Sequence, residues 1–182
     1  MSKLQVKPVQ PNPSFDFMYY MEICGESRIE GDLLDRLEEC WNDWKDRLHA
    51  FKLIPSTSKD DEGFLLVWLS EGVEEAVEQG WSEGEKTGMF FHNLAITLVM
   101  SAAQSLVPEL LESCTPLPRP GEEVQEFFEQ MDLEWNPHMG ALNRQFAVYT
   151  PMPFRGNCEV CMQSHTCPKS TFGSEAPTQA PK

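Results

Sequence analysis

Three of the six cysteines fall within ten residues near the end of the chain, in the stretch NCEVCMQSHTC, Asn157 to Cys167. Cys158, Cys161 and Cys167 read C-x2-C-x5-C. The first pair has the spacing at which two thiolates of one tight turn face the same cation. Gly156 before the run permits close backbone approach, and Pro168 directly follows the last cysteine. His165 lies in the same loop and completes a Cys3His zinc set. Without it the three thiolates suit an Fe–S cluster short of one ligand or, by the same softness, a sulfide-bridged molybdenum species. Cys24, Cys40 and Cys114 are distant donors among which no spacing selects. A redox dithiol is the competing chemistry, but that wants a strand before it and a helix after it. Here a proline-rich loop precedes and a polar tail follows.

The remaining polar residues form no catalytic set. His92, in FFHNL, sits within the most apolar segment and is expected to be a core histidine. His49 and His138 are expected near helix ends. Glu74, Glu75 and Glu78 share a helical face that reads as solvated. No glycine-rich phosphate loop, G-x-S-x-G or H-E-x-x-H occurs. No nucleophile, base and orienting group stand together, so the sequence points away from an enzyme.

Charge narrows the partners. Fourteen Lys and Arg face 29 Asp and Glu, a net charge of −15. Such a surface repels phosphate backbones and anionic lipid, which disfavours nucleic acid and membrane surfaces and favours a basic protein or a metal cation. The N-terminus shows no apolar core of a secretory signal, so a cytoplasmic location is expected. Six cysteines in a reducing compartment are expected as thiols or metal ligands rather than disulfides. The longest apolar segment, Met89 to Val107, is interrupted by His92, Asn93, Thr97, Ser101, Gln104 and Ser105, too polar a set for a simple membrane span.

The elements that must position the cysteines read as helices. Residues 1–15 carry Pro8, Pro11 and Pro13 and are expected as an extended arm. Leu34, Leu37, Trp41, Trp44, Leu48 and Phe51 recur at steps of three and four, predicting one helix from Asp32 that Pro55 closes. The run FLLVWL, Phe64 to Leu69, is short and apolar throughout, so periodicity does not separate strand from helix; it is assigned here to helix. Ser70 is placed as the cap of a short acidic helix. A central helix is predicted over Lys86 to about Ser113, with Pro108 as its break. CTPLPRPG, Cys114 to Gly121, is a rigid loop. Val124, Phe127, Phe128 and Met131 mark a further helix, and Asn136-Pro137 reads as cap and first turn of another through Phe146. The resulting expectation is a mainly α fold, a small helical bundle over 16–150, followed by a cysteine-rich metal-binding segment at 151–167 and a disordered tail at 168–182.

The stretch NCEVCMQSHTC also resembles the C-terminal end of the Q-type nitrogen-fixation proteins, in which C-x4-C-x2-C-x5-C closes a helical domain of similar length. Cys158, Cys161 and Cys167 match the last three cysteines of that motif, and the position of the first falls on Pro153. The resemblance implies an Fe–S cluster and a role in supplying molybdenum to a larger enzyme. The size, acidity and expected helicity are similar to those of the helical chaperones that mature molybdenum oxidoreductases, without their acidic-His-Leu signature. The function expected from the sequence is therefore a cytoplasmic accessory protein that binds an Fe–S cluster or zinc and assists maturation of a partner metalloenzyme. The alternative is a non-catalytic interaction or subunit protein with a structural zinc knuckle.

Overall fold

Leu65, Leu66, Val67, Trp68 and Leu69 are consecutive and all buried. Successive side chains of a strand point to opposite faces, so an unbroken buried run needs cover on both sides. That is what surrounds strand β3, Gly63–Leu69, in the computed structural model, which describes residues 4–58, 62–156, 158–168 and 170. It lies inside a four-stranded antiparallel sheet in the order β1-β2-β3-β6, where β1 is Gln5–Pro8, β2 is Leu48–Ile54 and β6 is Ala147–Met152. The register pairs Leu66 with Phe51 on one side and with Tyr149 on the other. A separate two-stranded hairpin pairs β4, Trp135–Asn136, with β5, Ala141–Leu142.

The sheet separates two apolar clusters. On one face Ala50, Leu65, Val67, Leu69 and Val148 meet helices α1 (Phe17–Cys24), α2 (Gly31–Lys45), α3 (Glu71–Glu83) and α4 (Glu85–Leu106). On the other, Leu53, Leu66, Trp68 and Tyr149 pack under α5, Glu122–Gln130, through Val124, Phe127 and Phe128, joined by Leu133. Ser56 fixes α5 to the end of β2, its N–H and Oγ–H both donating to the Glu123 carboxylate.

The mainly α expectation is therefore wrong: 44% of the described residues are helical and 17% are strand, in a mixed α/β architecture. Three local assignments account for it. Helix α2 stops at Lys45, where Asp46 N–H turns back to Asp43 O and Arg47 N–H to Trp44 O. Leu48 and Phe51, which extended the helical stripe, belong to β2, where a three-residue step sends them to opposite faces of the sheet, Leu48 to the α1–α4 cluster and Phe51 to the cluster under α5. FLLVWL is the inner strand, sandwiched between α4 and α5 rather than wound into a helix. The helix expected from Asn136 is the β4–β5 hairpin. Asn136 Oδ1 does accept from His138 N–H and Met139 N–H as a cap would, but Gly140, at φ 62°, turns the chain back within four residues. The stretch to Phe146 then leads into β6.

Other expectations hold. Helix α3 begins after Ser70, and α4 ends at Leu106 with a 3-10 turn, Pro108–Leu111, at the predicted break. Helix α4 packs on α1, α2, α3, β3 and β6. It is long and apolar enough to cross a membrane, but half of that window is buried inside the domain. Tyr20 of α1, fully buried, donates its hydroxyl to the Phe90 carbonyl of α4 at 2.7 Å. The proline-rich arm is extended as expected, with its first described part paired as β1. It continues along α4, where Asn12 N–H donates to Ser105 Oγ and Ser14 N–H to Ser101 Oγ. The tail expected over 168–182 lies outside the described residues apart from Pro168 and Ser170.

Candidate metal-binding site

Strand β6 delivers the chain to the cysteines. Its last turn leaves the sheet through Met152 and Pro153, and Phe154 still packs on the helical-face cluster. Arg155 then pairs with Glu62, which precedes β3, so the entry to the loop is held at the sheet end. From Cys158 onward the backbone runs as successive turns: Cys161 N–H donates to Cys158 O at 3.4 Å, Ser164 N–H to Cys161 O at 3.1 Å, Cys167 N–H to Gln163 O at 2.8 Å and Ser170 N–H to Cys167 O at 3.0 Å. The local cause is composition. Ser164, Thr166 and Pro168 offer no run of helix formers, and Thr166 turns its hydroxyl onto Gln163 O.

One backbone bond docks this train of turns on the domain: Met162 N–H donates to Leu117 O at 2.8 Å. The Met162 thioether lies beside Gly140, whose missing Cβ would sit 3.9 Å from the methionine sulfur and 3.0 Å from Leu117. The rigid loop 114–121 and the β4–β5 hairpin together form the seat. Sequence reasoning missed this seat; an apolar Met162 directly before the polar Gln163 and Ser164 was a slight signal of it.

Cys158, Cys161 and Cys167 are half-buried thiols, and none of the six cysteines is in a disulfide. His165 is exposed. The turn bond between Cys161 and Cys158 has the form the C-x2-C spacing implies. Among the described residues, however, no three His, Cys, Asp or Glu side chains are gathered closely enough to hold an ion. The donor types suit a soft metal, whereas their placement does not yet make a coordination shell. Of the cysteines outside the motif, Cys24 is buried against α4, where it accepts from Asn93 Nδ2, and Cys40 packs on the helical cluster. Burial pushes the Cys40 thiol pKa up, which opposes ligation. Cys114 is exposed and opens the loop on which Met162 docks.

The histidines outside the loop divide. His92 is part-buried at α4, edge-on to Phe146 and within 3.4 Å of Gln145 Nε2, a packing position as expected. His49 is in β2 rather than at a helix end, stacked on Trp68 at 4.8 Å, and burial lowers its pKa. His138 is exposed at the β4–β5 turn. Glu74 is no solvated residue: it accepts from Gln145 N–H at 2.7 Å and pairs with the part-buried Arg144 at 3.3 Å, tying α3 to the segment before β6.

Compared with protein-family models, with curated proteins and with solved structures, the chain matches none.

Proposed function

We propose that this chain is a cytoplasmic accessory protein that takes up an Fe–S cluster or zinc through Cys158, Cys161 and Cys167, with His165 as a further donor, and presents it to a larger metalloenzyme or its assembly machinery. Molybdenum enzymes are the class that the resemblance of NCEVCMQSHTC suggests. The observation that carries the reading is a short, turn-built loop with three half-buried thiols, docked on the domain through Met162 N–H to Leu117 O. Because the thiols are not gathered beforehand, metal binding has to draw the turns together, and so loading and local ordering are one event.

A structural zinc knuckle is the alternative, and the packing disfavours it. Among the described residues, neither apolar cluster includes any beyond Phe154, so the described core closes without the loop. A site that the core does not need is suited to loading and release. Anaerobic purification followed by elemental analysis tests the proposal. Stoichiometric iron with sulfide, or zinc, is expected in the intact protein, and Cys161→Ser should lose it. Metal content unchanged by that substitution removes the motif from consideration.

A further inference from the structure

Val160 of the cysteine loop also closes one side of a cleft of about 460 Å³ between the end of β2, the start of β3 and the rigid loop 114–121. Phe64, Pro118 and Pro151 are among its apolar lining, Thr57 and Ser58 among its neutral polar lining, and Arg119 and Arg155 are its cationic residues. We infer that this cleft binds a small organic carboxylate, with its apolar body against the Phe64, Pro118 and Pro151 walls and its charge between the two arginines.

The charge distribution is what sets the cleft apart. The chain carries six arginines against a net charge of −15. Away from the cleft, Arg36 is matched by Glu83 at 2.9 Å, Arg47 by Asp43 at 2.8 Å and Arg144 by Glu74 at 3.3 Å. Arg28, on the segment between α1 and α2, and Arg119 have no carboxylate within ion-pair distance among the described residues, and of these two Arg119 lines the cleft. Arg155 has one, Glu62, and both line the same cleft. Two guanidinium groups and one carboxylate leave a single positive charge among the described lining residues, in a molecule that repels anions nearly everywhere else. That balance suits a monoanion better than a phosphate dianion. A guanidinium presents parallel N–H donors at the spacing of carboxylate oxygens, and charge-assisted pairs of this kind are the stronger class of hydrogen bond. The volume falls within the roughly 300–1,000 Å³ of small-molecule sites, and the lining is divided evenly between apolar and polar residues, which suits a ligand with an apolar body and a charged head.

Benzoate, its neutral analogue benzamide and inorganic phosphate are the probes, titrated into the full chain by isothermal calorimetry. Benzoate is expected to bind saturably. Arg119→Gln, at an exposed position whose loss leaves the core intact, should weaken it by about tenfold or more, the scale of one lost charge-assisted bond. Circular dichroism identical to that of the parent protein confirms that the variant is folded. Benzamide binding as tightly as benzoate would overturn the charge assignment, and phosphate binding more tightly would overturn the monoanion. Absence of benzoate binding at tens of millimolar, or affinity unchanged in Arg119→Gln, sinks the site. No thiol is among the described residues lining the cleft, so Cys161→Ser should retain benzoate binding while losing metal, and the two proposals fail separately.

Discussion

Replacing Cys158, Cys161 and Cys167 together by serine should empty the metal site and leave the domain standing. Three ties between the loop and the rest of the molecule are explicit among the described residues. Arg155–Glu62 is a half-exposed pair, worth about 0–1 kcal/mol. Met162 N–H to Leu117 O is one backbone bond, about 1 kcal/mol net. The Met162 side chain against Leu117 and Gly140 adds about 1 kcal/mol of partial burial. None of these passes through a thiol, and serine is close to cysteine in size. Metal stabilises a fold only through its difference in affinity for folded and unfolded chains, and a donor set confined to ten residues is nearly as accessible in both. The coupling expected through these three ties is about 2–3 kcal/mol. For a chain of this length each kcal/mol moves Tm by about 2–4 °C. Thermal unfolding followed by far-ultraviolet circular dichroism, on loaded, chelated and triple-serine protein with the metal content of each measured, should show transitions within about 10 °C of one another. A larger fall, or loss of the cooperative transition, would show that the metal organises the core and would favour the structural knuckle.

Two further outcomes test the architecture. A Cβ at Gly63 would collide with the Leu53 carbonyl oxygen and lie 3.0 Å from its carbonyl carbon, rigid backbone of the neighbouring strand, so Gly63→Ala should cost about 2–3 kcal/mol, read as a lower midpoint at unchanged slope in urea denaturation. The hydrogen bonds from Ser56 hold the Glu123 carboxyl below its usual pKa. A group depressed on folding contributes stability above its unfolded pKa and loses it as pH falls through the folded one, so stability should decline below about pH 4.5 and Ser56→Ala should flatten that decline. An unaltered pH profile in the variant would remove Ser56 from this role.

The sequence conveyed the helices better than the strands, for a physical reason. Val73 and Val77 on α3, and Leu37, Trp41 and Trp44 on α2, face one buried side each, and one-sided burial writes a period into the sequence. β3 is covered on both sides, which erases the alternation that would have marked it as a strand. In β2, Leu48 and Phe51 happened to continue the phase of α2, and only the turn at Asp46 and Arg47 separates them. Asn136 carries a true capping interaction, yet the path of the chain beyond it depends on Gly140, whose left-handed conformation is a tertiary choice. At the candidate site, the spacing of Cys158 and Cys161 was sufficient to anticipate a turn joining them. The seat at Leu117 and the presence of both Arg119 and Arg155 in the lining of one cleft depend on contacts between segments far apart in the chain.

Strand β1 is four exposed residues, Gln5–Pro8, laid along β2. Without it, the Leu48–Ile54 backbone would present a row of unsatisfied donors and acceptors on a segment whose side chains are apolar towards both layers. Such a border is a template for a second chain. Lys7 and Pro8 on the outer strand make it a poor template in turn, one by charge and the other by its missing amide hydrogen. Deleting the first nine residues should therefore make the domain self-associate, even though the segment contributes little to the core.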